Sequence, residues 1–347
     1  MNAHNELIHR IPEAILPWYR ENARALPWRQ IADPYKIWVS EIMLQQTRVE
    51  AVRGYYTRFL TALPTLDHLA EVEMDKLLKL WEGLGYYTRA KNLKRAAQIV
   101  QSQYGSHFPQ THGEILALPG IGPYTAAAIA SICFHLPCPA IDGNVLRVYA
   151  RLSAMPDCID LPAVKKAVTE ALAPLYLDHS PGELNQALME LGAIVCLPNG
   201  APLCDGCPLA SFCQAKAMGT QRAYPVRAKK APRRLEEKTV FILATDNAIA
   251  VEKREDTGLL AGLWALPNVP GSLTEAEAIA KLADWGVTPL ELLKSSQKKH
   301  IFTHVEWHMT GYYITCRNQS AGFTWATPGM RGSHIALPTA FRQFLSE

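Results

Sequence analysis

Leu118-Pro-Gly-Ile-Gly-Pro-Tyr-Thr-Ala-Ala-Ala-Ile129 sets the architecture of this 347-residue chain. Gly120 and Gly122 permit a backbone turn that side chains would obstruct. Pro123 suits the first position of a following helix. The stretch reads as two helices joined by a tight hairpin, with free amides at the second helix's start. Such amides offer a seat for a phosphate. A plain helix–turn–helix connector has the same local pattern, so the hairpin alone does not fix the chemistry.

Two signals lie downstream. Ile141-Asp-Gly-Asn-Val145 places Asp142 and Asn144 just before a helical run. Asp and Asn there also make an ordinary N-cap. Further on, Cys196, Cys204, Cys207 and Cys213 are separated by seven, two and five residues. Four thiols so close suit one metal centre better than two disulfides in a reducing compartment. Zinc sites commonly use two C-x2-C pairs, and only one pair stands here. The asymmetry favours a four-cysteine [4Fe–4S] cluster. Cys133, Cys138, Cys158 and Cys316 are scattered and read as small buried hydrophobes.

Composition sets the outer bounds. Hydrophobic residues make up 48% and charged residues 19%, with a net charge of +3. That excludes wholesale disorder, and the length suggests two domains. The N-terminus carries no apolar run before Pro12. Prolines cut the longest uncharged stretch, Ile115 to Ile141, leaving Tyr124–Leu136 unbroken. Thirteen residues fall short of the ~20 that a bilayer requires. A soluble, intracellular protein is expected. Residues 222–238 carry seven basic and two acidic side chains, a run that reads as a solvated linker and also suits a polyanion.

Before that run the pattern is helical. One long helical period is predicted over Pro34–Leu60, with Ile37, Glu41, Leu44 and Arg48 on one stripe. Further helices are predicted over Val72–Leu80, Ala90–Tyr104, Tyr124–Cys133, Val145–Leu152, Leu161–Leu177 and Leu184–Val195. After Glu237, strands are predicted at 239–244, 248–251, 299–303 and 312–316, with one helix over Ala276–Trp285. The fold class is therefore a mainly α catalytic region followed by a smaller α+β domain. Expected boundaries are 1–221, a linker at 222–238, and 239–347.

Together, L-P-G-I-G-P-Y, I-D-G-N-V and the four cysteines resemble the helix–hairpin–helix DNA glycosylase superfamily with an iron–sulfur cluster. Leu26-Pro-Trp-Arg29, Ser40–Thr47, Trp81–Tyr87 and Leu188–Gly192 extend the likeness to its MutY-type adenine glycosylase branch. The resemblance implies a six-helix barrel over about 31–138, a cluster region spanning 1–30 and 139–221, and a Nudix-like domain that inspects the lesion. The endonuclease branch places a lysine nucleophile where Tyr124 stands, and lacks the glutamate found here as Glu41. Tyrosine forms no Schiff base. A bifunctional pyrimidine glycosylase and a non-catalytic iron–sulfur module are the competing readings. The first is opposed by Tyr124, and the second leaves both carboxylates idle.

Adenine leaves only when protonated, and the sugar cation needs a stabiliser, which is the two-carboxylate logic of glycoside cleavage. Glu41 sits on an apolar stripe and should keep its proton, so it is the expected general acid toward adenine N7. Asp142 is expected to face the sugar cation, with Asn144 positioning it or water, and Tyr124 near the reacting sugar. By resemblance, Arg24, Trp28, Leu44 and Glu190 form the adenine pocket. Gln46, Thr47, Leu84 and Tyr86 probe the opposite strand, with Tyr86 as a wedge between base pairs.

Phe302, Thr303 and His304 match the family's Phe-Ser-His loop for 8-oxoguanine, with threonine replacing serine. No complete Nudix hydrolase motif is present in the sequence. Arg147 stands where some members carry lysine, which opposes incidental lyase chemistry. The first cysteine interval exceeds the common six residues, so Leu197–Leu203 should bulge. The expected partner is double-stranded DNA with A:8-oxoG or A:G mispairs, read by a monomer at the nucleoid of a bacterium.

Overall fold

The computed structural model describes residues 3–229 and 231–345. Met1, Asn2, Ser346 and Glu347 lie outside the described residues, as does Lys230 of the basic run. The helices in chain order begin with α1 (Ala3–His9), α2 (Ile11–Asn22), α3 (Pro34–Leu44) and α4 (Val49–Ala62). Next come α5 (Leu66–Glu71), α6 (Met74–Leu80), α7 (Thr88–Tyr104) and α8 (His112–Leu116). Then follow α9 (Pro123–Phe134), α10 (Gly143–Leu152), α11 (Pro162–Leu172), α12 (Pro181–Ile194) and α13 (Gln214–Ala217). The chain divides into two compact units: Met1–Ala70 with Asn92–Lys229, and Glu71–Lys91 with Lys230–Glu347.

The single helix predicted over Pro34–Leu60 is two. Asp33 caps α3 by accepting from the amides of Tyr35 and Lys36, and Pro34 takes its first position. The helix ends at Leu44, and Gln46 adopts a left-handed conformation with φ 56°. Arg48 therefore leaves the stripe that holds Ile37, Glu41 and Leu44. Periodicity missed the break because no glycine or proline marks it. Trp38, Val39 and Met43 are wholly buried, and Trp38 meets Phe108 edge-on at 5.5 Å. Each such burial contributes about 1.5–3 kcal/mol.

The hairpin joins α8 to α9, and of its two glycines Gly120 behaves as expected. Gly120 has φ 79°, and a Cβ there would stand 2.6 Å from Cβ of Asn92. Gly122 differs from the expectation: its φ is −93°, and an added Cβ would meet nothing within 4 Å. Its hydrogen side chain leaves open space at the start of α9. Helix α12 docks through glycine at both ends. A Cβ on Gly182 would meet Cα of Ile132 at 2.8 Å, and one on Gly192 would meet Cβ of Asn144 at 2.5 Å. Between them, wholly buried Asn185 accepts from the Ala140 amide and donates to Ser131 and the Cys138 carbonyl.

The second unit holds β1 (Arg234–Ala244), β2 (Ile249–Lys253), β3 (Trp264–Ala265), β4 (Asn268–Pro270), β5 (Pro289–Ile301), β6 (Val305–Cys316) and β7 (Thr324–Ala326). Besides α6, this unit holds α14 (Glu275–Asp284), α15 (Pro328–Ser333) and α16 (Thr339–Arg342). The sheet order is β3-β2-β1-β6-β5, with β4 on β1 and β7 on β2. β1 starts at Arg234, inside the stretch read as linker, because it pairs in parallel with β6 from Val305 onward. Val240 and Ile242 bury one face of β1, and Phe241 and Leu243 bury the other against α14. This is the continuous apolar run of a strand covered on both sides. No helix of the described residues is long and apolar enough to cross a membrane.

Candidate active site

Ten of the predicted site residues line one cavity of about 530 Å³: Arg24, Trp28, Glu41, Leu44, Gln46, Thr47, Tyr124, Asp142, Asn144 and Glu190. Helices α3 and α12, with the segments just before and just after α3, supply most of its wall. The break after α3 is what turns Gln46 and Thr47 into it.

Glu41 is only 7% exposed. Tyr124 donates its hydroxyl to Oε2 of Glu41 at 2.7 Å and lies 3.1 Å from Sδ of Met189. Burial pushes the Glu41 carboxyl up to about 7; Tyr124 and Arg29 pull it down, and the charge of Asp142 adds to the rise. Burial also raises the Tyr124 phenol well above its ordinary value.

Asp142 is the N-cap of α10, so the ordinary structural reading of this residue is realised. Its Oδ1 accepts from the amides of Asn144 and Val145 at 2.8 and 2.7 Å, and its Oδ2 accepts from Asn144 Nδ2 at 2.6 Å. Burial raises its pKa, against those three donors and the charge of Arg147. The donor set stabilises the carboxylate, and the apolar surroundings oppose it. Asn144 is itself held by Arg147, whose Nη2 donates to Asn144 Oδ1 at 2.8 Å and to the Gly192 carbonyl at 2.7 Å. The Arg147 Nε donates to the carbonyl of Cys196.

Glu190 is 1% exposed and grips two arginines. Arg24 donates to both of its oxygens at 2.8 Å, and Arg29 to Oε2 at 2.7 Å. Burial raises the Glu190 carboxyl, but the hydrogen bonds and charges of the two arginines outweigh it and leave the pKa lowered. Trp28 meets Tyr56 edge-on at 5.3 Å, which fixes the indole in the cavity wall. The sequence reading missed Arg29, Met189 and Gln45, which donates to Thr125. All three stand inside stretches that carry the family likeness, and nothing local marks Met189 as facing Tyr124.

The four clustered cysteines line a second, smaller cavity of about 30 Å³ beyond α12. Among the described residues, no three His, Cys, Asp or Glu side chains converge as the ligands of a single ion do. A cluster places each thiolate on a different iron, which asks for four thiols around a void. Burial pushes the Cys207 thiol up to about 11, and the neighbouring Cys196, Cys213 and Cys204 add to the rise. Arg151 donates to Sγ of Cys196 at 3.3 Å and to the Leu197 carbonyl at 2.8 Å. The long first interval closes through the Leu203 amide on the Val195 carbonyl. The donor set fits such a cluster.

Of the residues expected to read the opposite strand, Gln46 and Thr47 line the cavity, and Leu84, Tyr86, Phe302, Thr303 and His304 belong to the second unit. Tyr86 is half exposed and left-handed at φ 47°, and its hydroxyl lies 3.1 Å from Oγ1 of Thr303. Leu84 is buried. Phe302, Thr303 and His304 form the turn between β5 and β6, closed by the Phe302 amide on the Val305 carbonyl. Phe302 stacks edge-on against both His300 and Trp307.

A buried acid, a capped carboxylate and a glycine hairpin define a base excision repair protein of the helix–hairpin–helix class. The family described as HhH-GPD superfamily base excision DNA repair protein matches residues 39–174, and a NUDIX domain matches 239–347. The chain belongs to the adenine DNA glycosylase family. It is 33% identical to the adenine DNA glycosylase of Rattus norvegicus over 91% of this chain and 72% of the relative. For that of Buchnera aphidicola subsp. Baizongia pistaciae the identity is 38%, over 74% and 73%. For that of Homo sapiens it is 32%, over 92% and 69%. Among solved structures, a thermostable thymine-DNA glycosylase matches with TM-score 0.57 and 28% identity, over 62% of this chain and all of that one. A non-covalent endonuclease III–DNA complex shares the fold, with TM-score 0.53 and 20% identity over 64% of this chain and all of that one.

Proposed function

We propose that this chain removes adenine paired with 8-oxoguanine or guanine in double-stranded DNA, by hydrolysing the N-glycosidic bond without cutting the strand. The observation that carries the reading is a carboxyl, Glu41, buried in a cavity of base-holding size beside a second carboxyl on a helix cap. The target adenine must first leave the stack. Trp28 offers it a flat wall, and the Glu190–Arg24 pair offers a polar edge.

Glu41 then donates its proton to adenine N7. The bond from C1′ breaks with its electron pair on the base, and positive charge develops on the sugar. Asp142 faces that charge, held by Asn144 and the amides of α10. Water adds to C1′ and returns a proton to Glu41. Tyr124 offers a hydroxyl in place of an amine, so no Schiff base forms.

Cys196, Cys204, Cys207 and Cys213 would hold a [4Fe–4S] cluster. Bound there, it would supply a cross-link within the loop after α12. The enzyme is read as a monomer of the bacterial cytoplasm, working at the nucleoid.

The test is adenine release from duplexes carrying A:8-oxoG, A:G and A:T, with wild type, Glu41→Gln and Asp142→Asn. Release from the first two only, slowed about 10²–10⁴-fold in Glu41→Gln, is expected. Full-speed release by Glu41→Gln overturns the reading.

A further inference from the structure

We propose that Met189 is a positioning residue for the acid proton: its sulfur is a second acceptor for the one hydrogen of Tyr124, which frees Tyr124 to accept the proton of Glu41. The inference rests on Glu41 being the general acid. Tyr124 has a single hydroxyl hydrogen but two acceptors within reach, Glu41 Oε2 at 2.7 Å and Met189 Sδ at 3.1 Å. It cannot serve both fully.

When Glu41 is ionised, its carboxylate takes the hydrogen. When Glu41 is protonated, the chain can reverse: Glu41 donates to the tyrosine oxygen, and the tyrosine hydrogen turns to sulfur. The sulfur therefore stabilises only the protonated state of the acid. The other charged or titratable groups facing Glu41 are Asp142 at the start of α10, Arg29 from the loop before α3, and Cys133 on α9. The charged residue that α12 places in the cavity wall is Glu190, paired with Arg24 and Arg29. Among these groups Tyr124 alone meets both Glu41 and Met189.

Leucine in place of Met189 keeps volume and apolarity but removes the acceptor, and such swaps are usually well tolerated. Protonated Glu41 then loses one of its arrangements, and ionised Glu41 loses nothing. Single-turnover adenine release from an A:8-oxoG duplex is to be measured against pH for wild type, Met189→Leu, Tyr124→Phe, the double variant and Glu41→Gln. The descending limb at high pH should move down by roughly half a unit in Met189→Leu, the scale of a weak hydrogen bond.

In the Tyr124→Phe background the same substitution should not move the limb. A limb that stays put, or moves up as plain apolar burial would drive it, overturns the inference. So does a shift that persists without the tyrosine hydroxyl. If Glu41→Gln keeps the full wild-type profile, the assignment of the acid itself has failed. If that variant is inactive and the limb is unmoved, only the role of Met189 has.

Discussion

Gly192 of α12 lies against Asn144 so closely that a Cβ there would come within 2.5 Å of Asn144 Cβ and 3.0 Å of its Cα. Asn144 in turn binds Oδ2 of Asp142. Gly192→Ala must therefore push the first turn of α10 and carry the cap carboxylate with it. Displacements of about 1 Å cost on the order of a hundredfold in rate. Single-turnover adenine release should fall by about that factor, while affinity for duplex DNA, measured by gel shift, stays near wild type. An undiminished rate would mean that α12 yields and Asp142 does not.

Glu41 carries a stability cost along with its chemistry. Its folded-state pKa of about 7 stands above the ordinary 4.5, so the folded protein holds a proton there that the unfolded chain gives up between those values. Stability from this group is complete below about pH 4.5 and is lost as pH rises through 7. Glu41→Gln should match wild type in stability at pH 4 and exceed it by about 3 kcal/mol at pH 8. Denaturant melts at the two pH values check this. The same variant should lose about 10²–10⁴-fold in adenine release. Wild-type release should itself decline above pH 7, as the acid ionises.

The strongest local signals were the most legible. Gly120, the Asp142 cap and the cysteine spacing each depend on a few neighbouring residues; the structure forms the turn and the cap and sets the four cysteines around one small cavity. What the sequence hides depends on the chain folding back. The turn after Leu44 has no punctuating residue, yet it sends Gln46 and Thr47 into the cavity. The grip of Arg24 and Arg29 on Glu190 spans more than 160 residues of chain, which no periodicity reports. The parallel pairing of β1 with β6 reaches back to Arg234, so a segment that reads as a charged linker becomes strand. Short strands β3, β4 and β7 carry too few residues to show alternation.

The two hairpin glycines should behave differently on substitution. Gly120→Ala forces a side chain into a left-handed backbone at φ 79° and against Asn92. The backbone strain alone costs about 1–2 kcal/mol, and the melting temperature should drop. Gly122→Ala meets open space and ordinary backbone angles, so stability should hold. If phosphate approaches there, DNA affinity should fall and the salt dependence of binding should flatten by about one ion. Binding titrations across salt concentrations separate the two cases. Equal loss of stability in both variants would contradict this division.

Tyr86 and Thr303 share a hydroxyl contact at 3.1 Å within the second unit, and each is expected to meet the DNA opposite the excised base. An exposed hydrogen bond of this kind is worth about 0.5–1.5 kcal/mol, or about two- to tenfold in an equilibrium. Thr303→Val keeps the shape and deletes the oxygen, and Tyr86→Phe deletes the other partner. Each should reduce the preference for A:8-oxoG over A:G by about that factor, read as the ratio of kcat/KM on the two duplexes. Because one contact is removed either way, the double variant should lose little more than either single one. Thr303→Ser restores the serine of the family loop and retains the hydroxyl, so its preference should match wild type. A loss in Thr303→Ser equal to that in Thr303→Val would shift the weight from the oxygen to the methyl group.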